Sequence, residues 1–272
     1  MKTLITHINP HLDDIAAIWL FKKFHPEFVS AKIKFISQSD TYKHKGKETE
    51  DRIYLGTGMG KYDEHKGDLG TCAMSLVWDD INKIGLAPKD RFEAAAIDEI
   101  VKWNLLYDTA QMPFGDWDDF TVEAFIRSYK NSPKDSLATV NLGCQILDRI
   151  LPGVIEKQKA LKDWQKRAEF KSKWGKAVAV ESEHVGQDLA YRNGFQISVI
   201  RNPKNHFIGI CAAGTSDIDL TPVYLKVSHH DPEAGWYFHH SKKMILCGAK
   251  SAPDVKRSKL TLKEVIDIIR TC

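Results

Sequence analysis

The sequence predicts an α/β protein in two parts: a parallel-sheet domain first, then a smaller, mostly β α+β domain. Three observations carry this. Residues 2–25 run as apolar strand, tight turn and apolar helix, the opening unit of a parallel sheet. Segments of helical period then dominate to about residue 173. From Ala177 onward the apolar period changes to two.

Residues 2–8 read as a buried strand, and residues 12–25 as a helix apolar on nearly every face, as expected beneath a sheet. Asn9-Pro10 makes the turn between them, because proline fixes its own φ and keeps the residue before it out of the helical region. Residues 32–36 alternate as a second strand, 38–52 form a polar, lysine-rich loop, and 53–55 form a third strand that runs into Gly56-Thr57-Gly58-Met59-Gly60. A turn at 67–71 ends on Thr71, a plausible N-cap. Helices at 72–84 and 89–107 are separated by Gly85 and Pro88. Residues 108–120, with Met112-Pro113-Phe114-Gly115-Asp116, are loop, and helices follow near 121–130 and 136–151.

Pro152-Gly153 is expected to break the chain. Residues 154–173 then form a charged helix with Ile155, Leu161, Trp164 and Ala168 on one side. This divides the chain into a first domain at 1–152, a connector at 153–175 and a second domain at 176–272. Strands are expected at 177–181, 195–201, 206–211, 223–228, 235–239 and 243–247. A last helix at 261–270 opens on a capping box of Thr261 and Glu264.

Composition narrows the classes. The chain has 272 residues, 43% of them apolar, enough for a sizeable core. No apolar run approaches the ~18 residues of a membrane span, and the start lacks the order of a signal peptide. A net charge of +3 does not by itself indicate nucleic acid. The five cysteines are scattered without a C-x-x-C pair, which suits reduced thiols in the cytoplasm. There is no Walker loop, no G-x-G-x-x-G and no G-x-S-x-G.

The first turn gathers His7, His11 and Asp13 where a strand ends and a helix begins, the place where open α/β sheets bind ligands. Two imidazoles and a carboxylate can hold a divalent metal there, with Asp14 beside them as a catalytic carboxylate. The same residues would also serve as a helix cap and an ordinary polar loop. A second stretch, residues 54–65, is punctuated by glycines and ends in Asp63-Glu64-His65. In the second domain, His229-His230 and His239-His240 fall at the ends of expected strands, where neighbouring residues would face opposite sides. Gly248-Ala249-Lys250-Ser251 and Lys256-Arg257 offer amides and charge to an anion. The basic stretch 157–176, with Trp164 and Trp174 between its lysines, reads either as a nucleic-acid contact or as a solvated connector.

His7-Ile8-Asn9-Pro10-His11-Leu12-Asp13-Asp14-Ile15-Ala16 and the run ending in Asp63-Glu64-His65 together resemble the DHH phosphoesterase superfamily, in its exonuclease-like and uncharacterised branch. The resemblance implies a DHH-like first domain with metal ions, usually manganese, at the carboxyl ends of its sheet. They would activate water against a phosphodiester, a short oligonucleotide or nucleotide. On this reading His7 and Asp13 match ligands of the first motif, Asp63 the aspartate that opens the DHH run, and His65 the histidine that faces the substrate phosphate.

Four positions depart from the pattern. His11 stands for an aspartate and Glu64 for a histidine, both still able to bind metal. Gly56 stands where a bridging aspartate is expected. The last aspartate is Asp98 or Asp108, with Asn104 at that place in one alignment. The expected ligands are therefore His7, His11, Asp13, Asp63, Glu64 and Asp98, holding one metal, a remodelled site or none. Mn2+ is favoured, with Zn2+ or Mg2+ as alternatives. His239, His240, Lys250 and Arg257 are the expected substrate contacts. The implied partner is a phosphate-containing substrate, nucleic acid among the candidates; a membrane is not, and a homodimer is compatible. The alternative is a degenerate DHH fold that binds a nucleotide, nucleic acid or protein without catalysis.

Overall fold

Strand β1 (Thr3–His7) is buried along its whole length, as its unbroken apolar and threonine run requires. It pairs in parallel with β2 (Lys32–Ile36) on one side and β3 (Arg52–Tyr54) on the other. A computed structural model describes residues 1–67, 70–112, 115–129 and 135–272. Part of the expected turn at 67–71, the loop at Pro113-Phe114 and the end of the helix at 130 lie outside the described residues.

The first helix, α1 (Leu12–Phe24), is buried continuously from Leu12 to Phe21. It packs against α2 (Ala73–Lys83) and α3 (Arg91–Asp108), and Leu4, Ile15, Ile18, Met74, Ile97 and Leu147 form part of the same core. Helix α4 (Val122–Tyr129) adds Ile126 to that core.

Helix α5 runs unbroken from Ser136 to Trp164, through Pro152. The expected break does not occur, and the expected connector helix is the last third of this one. An internal proline costs about 3 kcal/mol. Apolar residues at helical spacing continue across it, with Leu147 and Leu151 buried and Val154 and Ile155 packed on the same core. Gly143 on α5 lies so close to α1 that an added Cβ would stand 2.6 Å from Ile15 Cγ2. Helix propensity alone would make Gly143→Ala stabilising by about 1 kcal/mol. Overpacking a filled core costs about 1–3 kcal/mol, and Ile15 is fully buried. Gly143→Ala is therefore expected to lower the melting temperature, a sign that a thermal scan reads directly.

The chain divides into two compact units, Met1–Ile155 and Glu156–Cys272. The second is built on a six-stranded sheet of order β4-β5-β6-β7-β9-β8. Its strands are β4 (Ala168–Ser172), β5 (Gly175–Glu181), β6 (Ile197–Arg201), β7 (Ile208–Ala212), β8 (Trp236–Phe238) and β9 (Met244–Cys247). Only β5 and β6 pair in parallel, and α6 (Gln187–Arg192) connects them. Two further helices, α7 (Thr221–His230) and α8 (Leu262–Arg270), pack with the sheet's apolar residues.

Two elements here differ from the sequence reading. The strand expected at 223–228 is α7: Leu220, Val223 and Val227 are all buried at spacings of three and four, and Pro222 sits in the first turn. Residues 168–172, read as the end of the connector, are β4. They form a hairpin with β5 around Lys173-Trp174, closed by Gly175 at φ +112.

Candidate metal centre

The site grows from the carboxyl end of β1. Asn9 takes a left-handed conformation, φ +56, which asparagine tolerates better than most residues. Its N–H donates to Ser136 Oγ at 3.0 Å. His11 is the N-cap of α1, and Asp14, three residues on, accepts its N–H at 2.8 Å in a capping-box arrangement. Asp14 also accepts from Thr6 Oγ1 at 3.1 Å. His7 Nε2 lies 2.9 Å from Asp14 Oδ2, and His7 Nδ1 lies 2.8 Å from the Ile8 carbonyl oxygen. Both ring nitrogens thus face oxygens, which suits an imidazolium, or a cation exchanged for the proton on Nε2. The rings of His7 and His11 stand edge to face, 5.1 Å apart.

Asp13 points the other way, to the start of α2. Its Oδ2 accepts from Ala73 N at 2.7 Å, and its Oδ1 from Met74 N at 2.9 Å and Asn104 Nδ2 at 2.7 Å. A helix N-terminus favours negative charge, yet burial, followed by the charges of Asp14 and Asp108, pushes the Asp13 carboxyl up to about 7. Glu64 is pushed up to about 9, first by burial and then by Asp13. Its Oε2 is buried without a hydrogen-bond partner. Asp108 is raised by desolvation and by Asp14, with His65 opposing. The Cys72 thiol is pushed up by burial and by Asp13.

These groups converge. Asp13, Glu64 and Asp108 can each bring a ligand atom within 4.8 Å of the others, as can His7, His11 and Asp14, and Asp63, Glu64 and His65. All of these residues except Asp63 line one cavity of about 920 Å³, bordered also by Asn9, Gln38, Gly56, Thr71, Thr109 and Gln111; Asp63 stands behind it. Three carboxylates close together repel one another unless protonated or matched by a cation. The orphaned Glu64 oxygen and the oxygen–imidazole donor set fit a hard or borderline divalent ion.

His65 has a side chain 58% exposed, but it is tethered. Its Nδ1 is 2.9 Å from Asp63 Oδ1, which also accepts the His65 N–H at 3.1 Å. Asp63 is buried and uses its second oxygen on Met59 N at 2.7 Å. Asp63, an expected ligand, belongs with Glu64 and His65 to one of the three groups, and its oxygens here accept from His65 and from Met59 N.

Asp98 is not part of the cluster. It is exposed, and its Oδ1 accepts the Trp78 indole N–H at 2.7 Å. Asp108 takes the place instead, one turn beyond Asn104 on the same face of α3, whereas residue 98 sits about 120° around the helix from residue 104. That periodicity was the available signal for choosing between them. Thr6, the α2 amides and the donor role of Asn104 had no motif to announce them.

The four substrate contacts expected in the second unit do not converge. His239 follows β8 and pairs with Met244 at the start of β9, whereas Lys250 lies beyond the opposite end of β9. There Lys250 borders a separate hollow of about 460 Å³ with Gly248, Gln187 and Asn202. His239 Nδ1 is 2.7 Å from Ser241 Oγ, and its ring centroid is 4.0 Å from that of His240. The Arg257 guanidinium is spent on the backbone: it donates to the carbonyls of Asn205, Val255 and Pro253 and covers the Phe207 ring. It is a staple, not an anion receptor. His229 and His230 close α7 instead of alternating along a strand. In the basic stretch, Trp164 is buried with Val178 and Phe195, and Trp174 is half-buried against the sheet core.

No protein-family model matches the chain, and no curated protein matches it. Among the solved structures similar to it are three. The pGpG-specific phosphodiesterase PggH from Vibrio cholerae is 13% identical, with a TM-score of 0.35 over 90% of this chain and 92% of that one. A DHH domain from a member of a family of ribosomal proteins is 10% identical, with a TM-score of 0.36 over 99% and 86%. RecJ from Thermus thermophilus, solved in complex with Mn2+, is 11% identical, with a TM-score of 0.32; the match spans 99% of this chain and 52% of RecJ. Among the described residues, no helix is long and apolar enough to cross a membrane.

Proposed function

We propose that this protein is a divalent-metal-dependent phosphoesterase of the DHH type, acting in the cytoplasm on the phosphodiester of a short oligonucleotide or nucleotide. The observation that carries it is the meeting of residues 7–14, Glu64, His65 and Asp108, from three separate segments, around one cavity in which burial and mutual charge push the Asp13 and Glu64 carboxyls up. His7, His11, Asp13, Glu64 and Asp108 would hold the metal. Two imidazoles among carboxylates suit manganese, with zinc next. A divalent ion supplies Lewis acidity there, offsetting phosphate charge and acidifying water.

The chain's own groups do the rest. The α2 amides and Asn104 fix both oxygens of Asp13, so its orientation survives substrate exchange. Asp63 holds His65 by Nδ1, which leaves Nε2 to deliver a proton to the leaving oxygen. Gln38, Thr71 and Gln111 line the cavity and offer hydrogen bonds to phosphate or sugar oxygens.

The test is metal analysis of the purified chain, with turnover of bis-p-nitrophenyl phosphate and of short oligonucleotides under manganese, zinc and magnesium. Manganese-dependent turnover that Asp13→Ala abolishes is the expected result. No bound metal and no turnover with any of the three overturns the proposal and leaves the degenerate binding protein.

A further inference from the structure

The structure assigns to Asp14 the metal-binding carboxylate that position 56 does not carry, an inference that rests on the metal reading above. Gly56 follows β3, donates its N–H to the Tyr62 carbonyl at 2.9 Å, and lines the same cavity as His7 and His11. A Cβ placed on Gly56 would stand 2.0 Å from Asp14 Oδ1 and 3.1 Å from Asp14 Cγ. Position 14 and position 56 therefore aim at one volume, and only one of them can fill it. Here α1 fills it, and the loop after β3 has none but glycine to offer.

Asp14 as a helix cap alone does not account for this. The cap is the His11 N–H bond to Oδ2, and any acceptor at that position supplies it. The same oxygen also faces His7 Nε2, and Oδ1 is held by Thr6 and turned against the bare Gly56 Cα. His7, His11 and Asp14 can set three ligand atoms within 4.8 Å, next to the Asp13, Glu64 and Asp108 group. A carboxylate so fixed, between two imidazoles and beside a second ligand set, is placed to bind metal in common with both.

The exchange should be reversible by mutation. Residue 56 sits at φ +60, a conformation that aspartate accepts more readily than most side chains. In the double variant Asp14→Gly with Gly56→Asp, the obstructing carboxylate is gone and a new one enters from the opposite side. Manganese binding is measured by titration calorimetry and by the stoichiometry of bound Mn2+ in electron paramagnetic resonance. Circular dichroism and melting of the metal-free chains check the fold.

Asp14→Asn keeps an acceptor for the His11 N–H but removes the charge. It should weaken manganese binding at least tenfold or lose an ion. The double variant should regain affinity relative to Asp14→Gly alone. Asp14→Asn that folds and binds manganese as wild type does overturns the inference and leaves the metal reading standing. A folded double variant that binds no better than Asp14→Gly also overturns it. A wild-type chain that takes up no manganese overturns the metal reading and this inference with it.

Discussion

Asp13→Asn is expected to lower kcat/KM at least a thousandfold, about 4 kcal/mol of transition-state stabilisation, and to weaken manganese binding severely. Asp13 is fully engaged by the fold, with donors on both oxygens. An asparagine there must turn its NH2 either toward Ala73 N–H or toward Met74 N–H and Asn104 Nδ2. Either way a donor meets a donor in a buried place, a cost of about 1–3 kcal/mol. A fall in melting temperature of about 2–4 °C per kcal/mol should accompany the loss of activity.

The control is Asp98→Asn. That residue is exposed and bonded to Trp78, so the change should leave manganese affinity and kcat/KM within about threefold of wild type, well under 1 kcal/mol. Manganese titration, steady-state kinetics and thermal melts on both variants settle the matter. Asp13→Asn with wild-type affinity removes Asp13 from the site, and Asp98→Asn with none puts Asp98 in it.

Much of the first unit was legible because its sequence obeys one rule at a time. An apolar strand, Asn9-Pro10 and an apolar helix give β1 and α1 to within a residue or two, and the same turn places His7 and His11 at a sheet's carboxyl end. Glu64 and His65 were readable from the run after the glycines. What was hidden depended on contacts between segments. Asp13 reads in the sequence as a local helix-start residue, yet its partners are 60, 61 and 91 positions away. The need for glycine at 56 is set by Asp14, in a different segment of the chain, and no local pattern carries that. In the second unit the failures have one cause: short apolar stretches fit either period. Residues 223–228 alternate well enough for a strand, and only Leu220 with Val223 and Val227 favours a helix. Arg257 illustrates the converse: a basic residue beside a glycine turn suggests an anion site, but its donors are already used by three carbonyls.

Manganese affinity is expected to rise with pH in two stages. The carboxyl of Asp13 is pushed up to about 7 and that of Glu64 up to about 9 in the chain without metal. A cation must displace whatever protons they hold. Below about pH 7 both are protonated, so affinity should climb up to about a hundredfold per pH unit; between about 7 and 9 one proton remains and the slope falls to about tenfold; above about 9 it flattens. Stability of the metal-free chain runs the opposite way. Both carboxyls titrate higher folded than their ordinary 3.8 and 4.5, so the folded state holds more protons across that window. Their contribution is present at low pH and is lost as pH rises through about 7 and then about 9. Saturating manganese replaces the protons and removes the loss. Melting temperatures from about pH 5 to about pH 9.5, in EDTA and in manganese, should therefore diverge as pH rises, with the metal-free curve falling. Two parallel curves would mean that these carboxylates do not face the ion, whatever the activity assays find.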